Sequence, residues 1–194
     1  MPPVSLATTG MPAASASTPA MLEHRALLYG SDTSFLDTVT PFLEDAIERS
    51  EAALAVTTSA NIELLRDRLG AGASRVEFVE HAGWYRTPTS ALNSYRAFLH
   101  AKVEEGAPWV RIVGEPVWAG RSDAEVRLWT RYESMLNLVF SAAPMSVLCP
   151  YDTRSLTPQI VNKASVTHPH IIGHDGVSSS SDYTEPGVFD LEAE

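Results

Sequence analysis

Residues 145–152 read Met-Ser-Val-Leu-Cys-Pro-Tyr-Asp, an apolar run that ends in the chain's only cysteine, Cys149, followed by Tyr151 and Asp152. If the run is a buried strand, its tip gathers a thiol, a phenol and a carboxylate where ligands bind in open α/β sheets, beyond the carboxyl ends of the strands. Three chemistries are open to such a tip: a thiolate nucleophile, a metal ligand set, and the floor of a binding pocket. A cysteine nucleophile needs a neighbouring base and a lowered pKa. Of the six histidines, His81 falls on the same expected edge, with Glu80, Glu115 or Asp152 to orient it. Pro150 removes the N–H that follows the cysteine, and with it one potential oxyanion donor, so no catalytic residue and no enzyme activity are expected. A zinc-type metal site needs three or four ligands at tight spacing. Cys149 with His81 and an acid, or His168 with His170 and His174, are the sets available. One cysteine among scattered histidines does not make that pattern, so neither a metal nor a cofactor is expected.

The elements that must position these groups follow from hydrophobic periodicity. Apolar runs at Arg25–Tyr29, Ala52–Thr57, Val76–Glu80, Trp109–Val113 and Met145–Cys149 read as strands, the last stopped by Pro150. Helical spacing covers Thr33–Arg49, Asn61–Leu69, Ser90–Glu105, Asp123–Ala142 and Leu156–Ala164, with Ser59 and Ser122 or Asp123 as N-caps and Gly70 as a C-terminal stop. Strands alternating with helices of this length imply βαβ units. The expected fold is three-layer α/β, a mostly parallel sheet of at least five strands with helices on both faces.

In that arrangement the loops after the strands collect on one edge. They carry Trp84, Tyr85, Glu115, Trp118, Cys149 and Tyr151, whereas the opposite loops are plain. Converging aromatics with a few polar groups describe a mostly apolar pocket for a small organic or signalling ligand, and these six residues are its expected lining. Glu115 is either a pocket acid or a strand-end carboxylate paired with Arg111 or Arg131. On the helix from Asp123, Glu133 and Asn137 fall on or beside the apolar face. A buried carboxylate must be paired or hydrogen-bonded, so they form either a structural network to a backbone turn or an arginine, with Arg111 and Arg154 as candidates, or a polar cavity wall. Asp152 shapes the turn after Pro150.

The loop after the first strand, Gly30-Ser-Asp-Thr-Ser-Phe-Leu-Asp-Thr38, is where a phosphate loop would sit. It lacks the second glycine and the lysine that cradle and reach phosphates, and Asp32 would repel an anion. ATP hydrolysis of the P-loop type is therefore not expected.

The sequence has 194 residues, 44% of them apolar, enough for one ordinary core. Its formal net charge of −10 argues against a nucleic-acid surface. No apolar stretch is long enough to cross a bilayer, and a single cysteine fits a reducing cytoplasm. Residues 1–21 are rich in Ala, Ser, Thr and Pro, without the basic start and apolar core of a secretory signal, and are expected to be a disordered arm. Residues 22–175 are the expected folded unit, and 176–194, with four serines and five acids, an acidic tail or linker.

Several motifs occur in order: His24 to Leu28-Tyr29, Trp84-Tyr85, Val110 to Pro116 with Trp118, Trp129 with Arg131-Tyr132-Glu133 and Asn137, and Cys149-Pro150-Tyr151-Asp152 leading to His168-Pro169. Together they resemble the MEDS domain, the sensory domain of methanogen and methylotroph regulators related to the dichloromethane-response repressor, over about residues 22–172. The resemblance implies a RecA/KaiC-like fold without a P-loop and a role in sensing a ligand or signal. It also implies a regulatory partner of the anti-sigma or histidine-kinase type, or a homodimer, since such domains often precede an ATPase domain of that kind. The chain is then a stand-alone sensor or a piece of a longer regulator.

Overall fold

The computed structural model describes residues 21–188. The arm expected at 1–20 and the last six residues of the acidic tail lie outside them. Seven strands form one sheet: β1 (Glu23–Tyr29), β2 (Ala52–Thr57), β3 (Val76–Glu80), β4 (Val110–Gly114), β5 (Met145–Asp152), β6 (His170–Gly173) and β7 (Gly176–Ser179), in the order β3-β2-β4-β5-β1-β6-β7. All neighbours are parallel except β6 and β7. The helices are α1 (Asp32–Glu48), α2 (Ser59–Leu69), the short α3 (His81–Trp84), α4 (Pro88–Glu104), α5 (Asp123–Val139) and α6 (Pro158–Thr167).

Period-2 alternation sorts the core into two layers. Leu27, Tyr29, Ala53, Ala55, Val113 and Leu148 face Phe35, Val39 and Leu43 of α1 and Leu65 of α2. The intervening residues Ala26, Leu54, Val56, Ile112, Val147, Cys149 and Tyr151 face Tyr95 of α4, Trp129, Tyr132 and Leu136 of α5, and Ala164 of α6. Helices on both faces of a mostly parallel sheet give the expected three-layer α/β architecture.

Local chemistry sets the helix starts. Ser31 and Ser34, Thr87 and Ser90, and Ser122 and Glu125 close reciprocal capping boxes at α1, α4 and α5. The cap of α2 is Thr58, one residue before the Ser59 expected.

Two boundaries differ from the sequence reading. Strand β5 does not stop at Pro150 but pairs with β1 through Leu27–Pro150 to Tyr29–Asp152. Its pairing with β4 has already ended at Val113–Leu148, so one side of β5 has no ladder for a proline to break. The sheet also continues past residue 175. A two-residue turn, His174-Asp175, joins β6 to β7, with Gly176 at φ +97°. The backbone N–H of Ser180 then donates to Pro169 O and that of Thr184 to Val166 O, pinning the segment onto α6.

Candidate functional site

A cleft of about 400 Å³ opens at the carboxyl ends of the central strands, between the starts of α1 and α2 and the loop after β4. A nearly buried carboxylate, Glu115, 7% exposed, stands in its wall. The residue's own N–H donates to Val56 O at 2.9 Å, fixing it just past the end of β4. Its carboxylate accepts from Tyr29 Oη–H at 3.0 Å, Asn61 Nδ2–H at 3.0 Å and the Thr57 hydroxyl. Burial, and then the charge of Glu115, push the Tyr29 phenol well above its ordinary value, so it stays a donor. Tyr29, Thr57 and Asn61 belong to the α1/α2 layer, and none of the three is among the six expected lining residues. Arg111, expected as a partner of this carboxylate, instead sits at the opposite edge of the sheet, against Glu51 and Asp45.

The rim carries opposite charges that satisfy one another. Arg154 donates to Asp152 at 2.9 and 3.0 Å and to Asp32 at 2.8 Å. Burial acts to raise the Asp152 carboxyl, but hydrogen bonds from Arg154 outweigh it and hold the group below its ordinary range. His81 reaches the Glu115 backbone carbonyl with Nδ1 at 3.1 Å and stands beside Glu80.

Of the six expected lining residues, only Glu115 and Trp118 line this cleft. Tyr85 is buried in an aromatic box, its ring edge-on to Trp129 and Tyr132 and its hydroxyl bonded to that of Tyr95. Trp84 packs on the Tyr95 ring. Cys149 and Tyr151 are both 1% exposed, because alternation along β5 turns them under α5 and α6. Trp118 joins the two regions: it lines the cleft, and it stacks on Tyr151 at 5.8 Å, which in turn meets His168 edge-on at 5.8 Å. Its indole Nε1 is buried without a hydrogen-bond partner among the described residues.

The aromatic box explains Gly114 at the end of β4. A Cβ there would lie 2.7 Å from the Tyr95 hydroxyl and 2.9 Å from that of Tyr85. Both rings are buried and bonded to each other, so neither can retreat freely. Gly114→Ala is expected to cost about 1–3 kcal/mol, the usual penalty for overpacking, measurable as a lower urea midpoint at unchanged slope.

Beneath Tyr151 four buried side chains meet: His24 of β1, Glu133 of α5, Cys149 of β5 and His168 at the end of α6. His24 Nε2 lies 3.3 Å from Cys149 Sγ and 3.7 Å from Glu133 Oε2; His168 Nε2 lies 3.5 Å from the same oxygen. Asn137 completes the network, accepting from His24 Nδ1–H at 3.0 Å and donating Nδ2–H to Thr167 O at 2.8 Å. Burial, then the neighbouring His24, push the His168 imidazole down to about 4. Burial also pushes the Cys149 thiol well up, with the Glu133 charge adding to it. At Glu133 burial acts to raise the carboxyl, but His168 and His24 outweigh it and hold the group down at about 2.

This arrangement corrects several sequence expectations. Asn137 does reach a backbone carbonyl, Thr167 O, but the other partners of Glu133 and Asn137 are histidines and not Arg111 or Arg154. The histidine at Cys149 is His24, not His81. His168 caps the end of α6 and is 0% exposed, while His170 and His174 lie apart from it on β6 and the hairpin turn.

No curated protein matches the chain. The family model described as MEDS, the methanogen/methylotroph, DcmR sensory domain, matches residues 23–169, from the first residue of β1 to the one after His168. The match therefore takes in both the cleft and the buried four-residue cluster, and the chain belongs to the MEDS family of sensory domains.

Proposed function

We propose that this chain is the ligand-sensing module of a regulatory system and that its ligand, a small neutral or cationic organic molecule, enters the cleft at the strand tips. The observation that carries the reading is the Glu115 carboxylate in the cleft wall, held in place by three donors beside the apolar face of Trp118. A buried acid fixed by its own network is a ready acceptor for a ligand N–H or O–H, and the aromatic wall offers a face to an alkyl or ammonium group.

Charge balance favours the same ligand class. Asp32, Glu115 and Asp152 line the cleft, and Arg154, which lines it with them, is committed to Asp32 and Asp152. At the start of α1 the N–H groups of Gly30, Ser31 and Ser34 are already taken, the first two by Ser34 Oγ and the third by Ser31 Oγ. A ligand that shifts Trp118 disturbs the stack on Tyr151, and a state-dependent shift of that kind changes a contact elsewhere only if the two states bind the ligand differently. In this role the output is a contact with a regulatory partner domain or a second copy of the chain.

Tryptophan fluorescence and thermal shift with a panel of propanediol, ethanolamine and choline against acetate, inorganic phosphate and ATP test the reading. Saturable binding is expected within the first group, weakened at least 10-fold by Glu115→Gln and lost in Trp118→Ala. Saturable binding of phosphate or ATP alone, or binding indifferent to both substitutions, would overturn it.

A further inference from the structure

The four-residue cluster beneath Tyr151 has the geometry of a coordination site. The ligand atoms of His24, Glu133, Cys149 and His168 all lie within 4.8 Å of one another. The N···O separations of 3.5 and 3.7 Å are too long for hydrogen bonds. They are close to the edges of a tetrahedron around a metal ion. With metal–nitrogen and metal–oxygen bonds near 2.0–2.1 Å and a metal–sulfur bond near 2.3 Å, an N···O edge comes to roughly 3.3–3.4 Å and an N···S edge to roughly 3.5–3.6 Å. The N···S separation of 3.3 Å and the N···O separations of 3.5 and 3.7 Å lie within about 0.4 Å of those edges.

The tautomers agree. Because Asn137 Nδ2 donates to Thr167 O, its Oδ1 is the atom turned to His24, so His24 Nδ1 must carry the proton. His168 Nδ1 faces Ala164 O at 3.0 Å, so it too is the protonated nitrogen. Both Nε2 lone pairs are thereby aimed at the centre, each held by an outer partner in the manner of metal-ligating histidines. Glu133 Oε1 and Oε2 and His168 Nε2 are buried and have no hydrogen-bond partner among the described residues. A carboxylate and the His168 imidazole lone pair facing one another in a buried site are unfavourable unless something positive lies between them.

We propose that His24, Glu133, Cys149 and His168 bind one divalent transition-metal ion, zinc by the match of one thiolate, two imidazoles and one carboxylate to its preferred ligands. Four protein ligands leave no open position, so the ion is a tie between β1, β5, α5 and the end of α6 and not a catalytic centre. It sits two ring contacts from the cleft, through Tyr151 and Trp118. This assignment is independent of what occupies the cleft.

The test is metal analysis and Co²⁺ substitution of the full chain purified without a polyhistidine tag. The expected result is one equivalent of zinc per chain, or after exchange one of Co²⁺, with intense visible bands of tetrahedral cobalt and a near-ultraviolet thiolate-to-cobalt band. Cys149→Ser is expected to abolish the near-ultraviolet band. Asn137→Ala, which frees the His24 ring, should weaken Zn²⁺ binding against a competing chelator about 10–100-fold. His81→Ala, outside the cluster, should keep one equivalent. The wild-type spectrum decides even if a variant fails to fold. Less than a tenth of an equivalent of metal after exposure to Zn²⁺ or Co²⁺, or a cobalt spectrum without a thiolate band, would overturn the proposal in favour of a proton-linked histidine–carboxylate cluster.

Discussion

Trp129→Ala is expected to lower the unfolding free energy by about 3–5 kcal/mol, the range for deleting a large aromatic from a core. Trp129 is 2% exposed and is gripped from three sides. Tyr132 and Tyr85 meet it edge-on, with centroids at 5.1 and 5.7 Å, and the Arg121 guanidinium lies over its ring at 4.2 Å. The rings around it belong to α5 and to the loop after α3, and they also meet each other, so the space left by truncation cannot close by a local shift. Trp129→Phe keeps an aromatic body and should recover about half of the loss. The effect reaches the cleft as well. Arg121 donates from Nε to Val117 O, in the loop that carries Trp118. Removing the ring under Arg121 frees that loop, so ligand affinity should fall along with stability. Urea denaturation and near-ultraviolet circular dichroism read the first effect, and the fluorescence titration the second. A loss below 1 kcal/mol would mean that the aromatic box is not a structural unit.

The layers of this fold were legible because each strand carries its own signal. Ala52–Thr57 and Val76–Glu80 coincide with the sequence reading, since both are apolar runs bounded by turn or cap residues. Strand β5 was read three residues short because proline is normally a stop, and only the position of its neighbours shows that it has no bond to lose there. Strand β7 was missed because Gly-Val-Ser-Ser has no apolar alternation; its one signal was the Asp175-Gly176 pair, a hairpin dipeptide. It holds as an edge by pairing with β6 and by the bonds from Ser180 and Thr184 behind it.

The site was legible in part, for reasons of direction more than of residue type. Glu115 and Trp118 follow β4 and do line the cleft. Tyr151 and Cys149 were assigned to the same edge, but side chains on a strand alternate, and theirs turn into the α5/α6 layer. The buried cluster draws its ligands from positions 24, 133, 149 and 168, so no spacing rule for metal motifs finds it. A signal existed at each position separately: a histidine in phase with Ala26 on a core strand, and a carboxylate and an amide on the apolar face of α5. Burial predicted that Glu133 needed a partner. Pairing it with an arginine was the wrong choice, because the arginines of the sheet emerge at the opposite edge or at the rim.

Arg111 shows what those arginines do, and Arg111→Ala is expected to cost about 2–3 kcal/mol. Its side chain, 14% exposed, leaves β4 toward the α1 layer, donating through Nε to Glu51 at 2.6 Å and through Nη2 to Asp45 at 3.1 Å, with the guanidinium over the Phe42 ring at 5.2 Å. Glu51 is itself only 10% exposed. Truncating the arginine leaves that carboxylate nearly buried without its cation, and stranding one member of a buried pair costs about 3–5 kcal/mol. The half-exposed Asp45 can turn to water, which places the expected loss below that range. Arg111→Lys should recover less than half, because one ammonium cannot span both carboxylates and stack on Phe42 as the planar fork does. Urea denaturation should show the midpoint falling at unchanged slope, the mark of a stability change alone. The cleft titration should be unaltered in both variants, since this edge lies at the far end of β4 from Glu115. A lysine variant as stable as wild type would reduce the cluster to simple charge proximity, and weakened ligand binding in either variant would mean that the two ends of the sheet are coupled.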